Sequence, residues 1–290
     1  MTVALITGAN SGIGRASAVY LARQGLEVYG SVRSLDKAAK LQAMAGEAGV
    51  EVKVIEMDVV SDDSVRAGID QVISAAGQLD VLVNNAGIGG NGVTEFSTID
   101  SYQEVMDVNV YGAIRCIQAV LPGMREHGSG HIVNITSIAG VIAAIAQAPY
   151  ALSKRAAEAM SESLAQEVAP FGIRVSIIEP GITKSAIFAK NTEAPGQDAY
   201  PDHLRWMFQF YANGIPQATP AEEVGRVIHH AITTDEPMLR YAVGDDAHAI
   251  VAGHAAMTDE QWVALGMAGS DEEYYAGFEH HFGLDIRPPS

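Results

Sequence analysis

The chain has 290 residues, which is enough for one large α/β domain or for two small ones. Hydrophobic residues make up 48% of it, so a sizeable core can form and a disordered chain is not expected. The formal net charge is -17, and the sequence contains no cluster of lysine and arginine. This charge argues against a nucleic-acid-binding protein and against docking on anionic membranes.

The single cysteine and the lack of long apolar segments bear on the location of the protein. Cys116 has no second cysteine with which to form an intrachain disulfide, and this fits a reducing compartment. No secretory leader precedes the first predicted strand, and no apolar run reaches the roughly 18 residues of a membrane span. We therefore expect a soluble, cytoplasmic protein.

The first predicted strand leads into a glycine-rich loop. Residues 2–7 form a short β-branched run, and continuous apolar strands are typical of a parallel sheet covered on both faces. Three glycines follow with the spacing Gly-x-x-x-Gly-x-Gly, namely Gly8, Gly12 and Gly14. Such a loop lets the backbone approach a pyrophosphate where the next helix, predicted over 13–24, begins with its amides free. Ser11 or Asn10 is a candidate cap for this helix.

Strands and helices then alternate, which predicts a doubly wound parallel sheet of the Rossmann type. Further strands are predicted at 27–32, 52–57, 79–83, 131–136, 174–179 and 239–243. Further helices are predicted at 35–48, 61–76, 101–122 and 219–234, and another contains Tyr150 and ends near 169. Ser61 and Thr219 are the expected caps of two of them, with Pro220 at the first position of the last helix.

Tyr150 and Lys154 are four residues apart, which puts both side chains on one face of a helix. A nearby ammonium favours a phenolate, so Lys154 is expected to lower the pKa of Tyr150 towards the working pH of a general acid or base. Ser137 stands at the end of the strand predicted over 131–136. Its hydroxyl can donate to a carbonyl oxygen while the tyrosine gives or takes the proton.

Three motifs in this order resemble the short-chain dehydrogenase/reductase family. They are Thr7-Gly8-Ala9-Asn10-Ser11-Gly12-Ile13-Gly14, Asn84-Asn85-Ala86-Gly87, and the set of Ser137, Tyr150 and Lys154. The resemblance covers residues 1–245 and implies a hydride transfer between a nicotinamide cofactor and a carbonyl or carbinol carbon, with no metal. It also implies that Asn109 kinks its helix and holds a water that relays protons to Lys154. The alternative for Asn109 is a core asparagine with satisfied hydrogen bonds.

The resemblance further implies which residues contact the cofactor. These are Gly8, Asn10, Ser11, Gly12, Ile13, Gly14, Arg33, Ser34, Asp58, Val59, Asn85, Ala86, Gly87, Tyr150, Lys154, Pro180, Gly181, Ile182 and Ser185. Asp58 would accept from the adenine amino group, and Val59 would flank the ring. The backbone around Ile182 and the hydroxyl of Ser185, which replaces the family's threonine, would hold the nicotinamide carboxamide. Thr183 is a less favoured contact.

The end of the second strand bears on the choice between NAD and NADP. An acidic residue there holds the ribose 2′-hydroxyl of NAD, whereas an arginine suits a 2′-phosphate. This chain has Arg33 followed by Ser34, so we expect NADP. Many NADP-linked members carry a second basic residue in the glycine loop, where this chain has Ser11. The alternative for Arg33 is a solvated surface charge.

Two segments lie outside the regular alternation. In the family fold, residues 186–218 form a lid over the active site. Bulky side chains are concentrated in it, namely Phe188, Tyr200, Trp206, Met207, Phe208, Phe210 and Tyr211. They favour an apolar substrate, unless they only pack the lid onto the body or form a subunit contact. Residues 246–290 form an acidic extension, in which Thr258 and Ser270 are expected to cap two short helices packed on the same domain.

The sequence therefore predicts an NADP-dependent oxidoreductase acting on a small, apolar alcohol or ketone. Tyr29 to Arg33 and the aromatic lid are most similar to the hydroxysteroid and retinol dehydrogenase branch. The alternatives are a non-catalytic NADP-binding regulator and a dehydrogenase for a sugar, polyol or 3-oxoacyl substrate. An epimerase of the extended branch is disfavoured, because its glycine spacing and larger C-terminal domain are missing. The family is usually dimeric or tetrameric, so we expect a homodimer or homotetramer.

Overall fold

A parallel β-sheet forms the centre of the protein in the computed structural model, which describes residues 1–185 and 194–288. Within these residues the sheet has seven strands in the order β3-β2-β1-β4-β5-β6-β7. The strands are β1 (Val3–Ile6), β2 (Glu27–Val32), β3 (Lys53–Glu56), β4 (Val81–Asn84), β5 (Gly130–Ile135), β6 (Ile173–Pro180) and β7 (Arg240–Val243). The predicted doubly wound sheet is confirmed.

Helices cover both faces of this sheet. They are α1 (Gly12–Arg23), α2 (Ala39–Glu47), α3 (Asp62–Ala76), α4 (Ile99–Met106), α5 (Gly112–His127), α6 (Ala148–Val168), α7 (Pro201–Gly214), α8 (Ala221–Thr233), α9 (Asp245–Ala256), α10 (Asp259–Leu265) and α11 (Asp271–Phe282). A π-helical turn at Asp107–Tyr111 joins α4 to α5. None of the helices in the described part of the chain is long and apolar enough to cross a membrane.

Alternate strand residues point into two separate hydrophobic cores, as the pleat of a doubly covered sheet requires. Leu5 and Leu82 pack with α3, α5 and α6 on one face. Ile6 and Val83 pack with α1, α2 and α8 on the other face. Burial on both faces explains why the strands are continuous apolar runs in the sequence.

A third hydrophobic cluster joins the C-terminal helices to α7. Trp206 on α7 stacks on Tyr274 of α11 with ring centroids 4.2 Å apart. Asp271, at the start of α11, accepts from the indole Nε1–H of Trp206 and from the guanidinium of Arg205. Ile250 on α9 belongs to the same cluster. Residues of the acidic extension thus contact the segment predicted as the lid.

The predicted helix caps differ in their outcomes. Ser61 and Ser270 cap α3 and α11 through their side chains, and Thr258 forms a reciprocal capping box with Gln261. The prediction for Thr219 is wrong, because α8 begins after Pro220. Thr219 is instead extended and exchanges backbone hydrogen bonds with Ile182 and Lys184.

Candidate active site

A cavity of about 530 Å³ opens at the carboxyl ends of β5 and β6. Its wall contains Ser137 and Tyr150 on one side, and Phe208, Phe210 and Tyr211 of α7 on another. The other lining residues are Ile13, Gly89, Gly90, Asn91, Thr136, Ile138, Ala139, Ile142, Ala144, Gln147, Pro180, Gly181, Ile182, Thr183, Ser185, Ala212 and Ile215. Most of these side chains are apolar, so the few polar groups fix how a ligand can lie.

Ser137, Tyr150 and Lys154 lie close together, and the first two of them line this cavity. Ser137 follows β5 directly, and its Oγ accepts from the amide of Ala139 at 3.2 Å. Tyr150 and Lys154 stand one turn apart on α6, and the ammonium of Lys154 lies 5.6 Å from the centre of the tyrosine ring. Lys154 Nζ also donates to the carbonyl oxygen of Ile135 at 2.9 Å. The end of β5 and the first turns of α6 thus bring the three predicted side chains together.

Burial dominates the electrostatics of these groups. It raises the pKa of Tyr150 to about 12, although a hydrogen bond with Ser137 acts in the opposite direction. Burial also lowers the pKa of Lys154 to about 8, while the charge of Glu158 opposes that shift. The expectation that Lys154 lowers the pKa of Tyr150 is therefore wrong for the protein alone. In a buried site, loss of hydration disfavours the phenolate more than the neighbouring groups favour it.

Asn109 lies in the π-helical turn between α4 and α5, so the predicted interruption of this helix is present. Its Oδ1 accepts from the amide of Ile88 at 2.8 Å, and its Nδ2 donates to the Ile88 carbonyl at 2.9 Å and to Ser153 Oγ at 3.0 Å. Ser153 in turn donates to the carbonyl oxygen of Tyr150 at 2.7 Å. These bonds are those of a satisfied core asparagine that braces α6. The water relay stays a prediction.

The glycine loop has the shape that a dinucleotide phosphate needs. Gly8 has a φ of +67°. A Cβ on Gly14 would lie only 2.3 Å from Asn85 Nδ2, so only glycine lets α1 start this close to the end of β4. Ser11 occupies the cap position of α1 without making a side-chain capping bond, contrary to the prediction. The first amides of α1 are therefore not capped by this side chain, as an anion site at a helix N-terminus requires.

The residues predicted to surround the adenosine half stand at the ends of β2, β3 and β4. Arg33 is exposed and makes no hydrogen bond or ion pair with any residue that the structure describes. Ser34 donates to Asp36. Asp58 is half-buried and accepts from the amide of Val60 at 3.2 Å. The side chain of Val59 is buried against Gly112, which leaves it little surface for the predicted contact with an adenine ring.

Asn85, Ala86 and Gly87 follow β4 and form the turn next to the glycine loop. The amides of Asn85 and Ala86 both donate to Thr7 Oγ1 at 2.9 Å. Asn85 Nδ2 donates to the Thr7 carbonyl at 2.8 Å. The asparagine side chain is thus used to hold the turn.

The loop after β6 is held by bonds that the sequence did not reveal. The amide of Ile182 donates to Asp246 Oδ2 at 2.6 Å, so this amide is not open for the predicted carboxamide contact. Gly181 and Lys184 donate their amides to the carbonyls of Val243 and Thr219. The amide of Thr183 has no partner among the described residues, and Thr183 is one of the residues that line the cavity. Thr183, the less favoured contact in the sequence, is therefore the residue of this loop whose amide is left for a ligand.

The aromatic residues of the predicted lid divide into two groups. Phe208, Phe210 and Tyr211 line the cavity. Trp206 and Met207 are buried in hydrophobic clusters and pack α7 onto the body. The packing interpretation thus holds for part of the segment, and the apolar substrate stays a prediction. Phe188 and residues 186–193 lie outside the described residues.

Two further polar residues at the site were not predicted. Gln147 Nε2 donates to the hydroxyl of Tyr211, which joins the start of α6 to α7. Glu158 is buried one turn after Lys154 and accepts from Arg240 Nε at 3.0 Å. An acidic residue four positions after Lys154 was a usable signal in the sequence. The contact between Gln147 and Tyr211 depends on tertiary structure and left no such signal.

Replacement of Lys154 by methionine should change how stability depends on pH. The folded protein holds the Lys154 proton less tightly than the unfolded chain, since its pKa falls from 10.5 to about 8. Between these pH values the unfolded chain binds more protons, so this lysine makes the free energy of unfolding rise with pH. Across this window the free energy of unfolding of wild type should rise by up to about 3 kcal/mol relative to that of Lys154→Met, as measured by urea unfolding. The exposed Lys40→Met is the control, and parallel pH curves for wild type and Lys154→Met would contradict the burial argument.

Comparison with known proteins identifies the family. The family model for short chain dehydrogenase matches residues 2–196. Retinol dehydrogenase 8 from Bos taurus is 37% identical over 251 residues, which cover 81% of this chain and 79% of that protein. 17-beta-hydroxysteroid dehydrogenase type 1 from Mus musculus is 36% identical over 252 residues, which cover 83% and 73%.

Solved structures agree in fold and include complexes with both nicotinamide cofactors. A short-chain dehydrogenase from Streptomyces avermitilis has a TM-score of 0.77 at 33% identity, over 92% of this chain and 95% of that one. An actinorhodin polyketide ketoreductase variant with NADPH has a TM-score of 0.73 at 30% identity, over 83% and 95%. A Burkholderia phymatum member in complex with NAD has a TM-score of 0.71 at 26% identity, over 82% and 88%.

The matched segment spans more than half of the chain, and both relatives exceed 30% identity across about four fifths of it. Together with the parallel sheet and the motifs at its carboxyl edge, these matches show that the chain belongs to the short-chain dehydrogenase/reductase family of NAD(P)-dependent oxidoreductases, in the branch that resembles hydroxysteroid and retinol dehydrogenases.

Proposed function

We propose that this protein is an NADP-dependent oxidoreductase for the carbonyl or secondary alcohol group of an apolar substrate. The observation that carries the proposal is the position of Ser137 and Tyr150 at one end of a largely apolar cavity. A polar group for proton transfer and an apolar wall for binding are what such a reaction requires.

The proposed mechanism assigns one task to each residue. The nicotinamide, when bound, supplies or accepts the hydride at the reacting carbon. In reduction, Ser137 donates a hydrogen bond to the substrate carbonyl oxygen, and Tyr150 gives that oxygen its proton. Burial keeps Tyr150 protonated at neutral pH, so the proton for reduction is present, and its release requires a neighbouring charge that stabilises the phenolate. Lys154, with a pKa of about 8, carries most of its charge at neutral pH and stabilises the phenolate that forms.

Proton movement beyond Tyr150 is assigned to Lys154 and Asn109. Lys154 is oriented by its bond to the Ile135 carbonyl. Asn109 fixes the position of α6 through Ser153, and this keeps Tyr150 and Lys154 in register with the end of β5. We propose that Asn109 also orders the water that returns a proton to Lys154.

The wall of the cavity supports an apolar substrate. Its volume of about 530 Å³ is shared with the nicotinamide, because the proposed nicotinamide contacts at 180–183 and 185 line the same cavity. Phe208 and Phe210 of α7 and Ile142 on the opposite wall supply apolar contact surface. The relatives that act on retinol and hydroxysteroids point to the same class of compound. We therefore propose a retinoid- or steroid-sized alcohol or ketone.

Two arginines near the proposed position of the 2′-phosphate support NADP over NAD. Arg33 follows β2, and its exposed guanidinium is available for a bidentate bond to a 2′-phosphate. Arg15, on the first turn of α1, is a second cation whose side chain has no ion pair within the described residues. It can take the place of the basic residue that the glycine loop lacks.

We further propose a cytoplasmic homodimer or homotetramer. Three large apolar side chains are strongly exposed on α4, in the π-helical turn before α5, and on α6. These are Ile99 at 69%, Tyr111 at 50% and Leu152 at 49% exposure. The elements that carry them contact one another, and exposed apolar side chains on neighbouring helices support a subunit contact.

Replacement of Tyr150 by phenylalanine tests the proposed function. Purified protein is given NADPH with carbonyl compounds that range from small polyol-derived ketones and 3-oxoacyl esters to steroid ketones and the aldehyde retinal, and the loss of reduced nicotinamide is recorded. Wild type should turn over the large apolar ketones best. Tyr150→Phe should lower kcat by roughly 100- to 10,000-fold, because the proton donor is gone.

The matched control is Tyr20→Phe, since Tyr20 lies on α1, packs against His229 of α8 and is not among the residues that line the cavity. This variant should keep wild-type turnover. Preference for the small polar ketones would overturn the substrate class. Binding of NADPH without turnover of any ketone would favour the non-catalytic regulator.

Replacement of Arg33 by alanine tests the cofactor choice. Loss of a charge-assisted bond to the 2′-phosphate should raise the KM for NADPH by about 10- to 100-fold and leave the KM for NADH within about twofold. Lys37→Ala, which removes an exposed cation from the next turn, is the control. Equal KM values for NADH and NADPH in wild type, or equal changes in Arg33→Ala, would contradict the assignment.

A further inference from the structure

We propose that Asp246, in the acidic C-terminal segment, is a positioning residue for the nicotinamide half of the cofactor site. The inference rests on the proposed function and adds a role for the C-terminal helices. It assigns to Asp246 the task of fixing the loop that follows β6, so that one amide of this loop faces the cavity.

The contact is direct and partly buried. Asp246 is the second residue of α9, and its Oδ2 accepts from the amide of Ile182 at 2.6 Å. The carboxylate also stands in the first turn of α9, where the free helix amides favour a negative charge.

The sequence around the contact leaves room for the carboxylate. A Cβ on Gly181 would lie 2.2 Å from Asp246 Oδ1, so any other residue at 181 would displace the side chain. The glycine of the Pro180-Gly181 motif therefore has a packing partner in the C-terminal segment. This close approach ties the end of β6 to the start of α9.

The carboxylate determines which amide of the loop remains for a ligand. The amides of Gly181 and Lys184 donate to backbone carbonyls, and the amide of Ile182 donates to Asp246. The amide of Thr183 has no partner among the described residues, and Thr183 lines the cavity. Because Ile182 and Thr183 are adjacent peptides, fixing the first amide orients the second. Without Asp246 the amide of Ile182 would compete for the same ligand, and the loop would lose its register.

The C-terminal helices anchor Asp246 in turn. Ala247 and Ile250 of α9 are fully buried and pack with Tyr275 and Phe278 of α11. The adenosine half of the proposed site is built from other elements, the glycine loop and the ends of β2 and β3. A change at Asp246 should therefore affect the nicotinamide half alone, and this separates positioning from a general loss of structure.

The test compares two ligands on the full-length protein. NADPH spans both halves of the site, whereas adenosine 2′,5′-bisphosphate reaches only the adenosine half. Dissociation constants are measured by titration calorimetry for wild type, Asp246→Ala, Asp246→Asn and the control Asp245→Ala. Asp245 is the adjacent residue and is exposed, so its replacement removes the same charge from the same helix turn.

Asp246→Ala should weaken NADPH binding by about tenfold or more and leave adenosine 2′,5′-bisphosphate binding within about twofold. Asp246→Asn keeps one acceptor oxygen and should lose about two- to fivefold for NADPH. Asp245→Ala should bind both ligands as wild type does. If Asp246→Ala does not fold, the asparagine variant carries the same comparison.

Two results would overturn the inference while the proposed function stands. One is NADPH binding by Asp246→Ala and Asp246→Asn at wild-type strength. The other is an equal loss for both ligands, which would make Asp246 a general structural residue. Wild-type protein that binds no dinucleotide would overturn the inference and the proposed function together. Failure of wild type to reduce any ketone would overturn only the proposed function, since the two dissociation constants are measured without a substrate.

Discussion

The hydroxyl of Thr7 ties the end of β1 to the end of β4, and the position of the cofactor crevice depends on this tie. One oxygen accepts the amides of Asn85 and Ala86, and the Asn85 side chain returns a bond to the Thr7 carbonyl. Since β1 and β4 are neighbours from which the chain runs outward in opposite directions, this is the switch point of the sheet. The same tie requires a glycine at 14, so the start of α1 is brought to the crevice.

Burial sets the chemistry at the other end of the crevice. Lys154 is 6% exposed and bonds to the Ile135 carbonyl, so its charge is held where hydration is lost. The same environment raises the pKa of Tyr150, so the tyrosine is protonated at neutral pH and its phenolate needs the nearby charge of Lys154. Glu158, one turn further along α6, opposes the loss of charge on Lys154 and is itself paired with Arg240 of β7. The proposed proton donor thus depends on contacts that reach across the sheet to its edge.

The sequence predicted the parts of the structure that depend on local pattern. Apolar strands, the glycine loop and the turn after β4 are encoded by residues close together in the chain, and these predictions are confirmed. The pKa of Tyr150 depends on burial, which the spacing to Lys154 does not encode. The contact of Asp246 with Ile182 spans 64 residues, and the burial of Val59 against Gly112 spans 53, so neither has a local signal. Thr219 was misjudged because pairing with the Ile182–Lys184 loop outweighs its preference for a cap.

The central claim is that the protein carries out hydride transfer at the cavity beside Tyr150. The most direct test is the reduction of a bulky apolar ketone with NADPH deuterated at C4 of the nicotinamide, followed by mass spectrometry of the product. We expect one deuterium on the carbinol carbon of the product from wild type and almost none from Tyr150→Phe. NADPH that binds tightly while no ketone gains deuterium would contradict the claim and identify the protein as a binding module of the same fold.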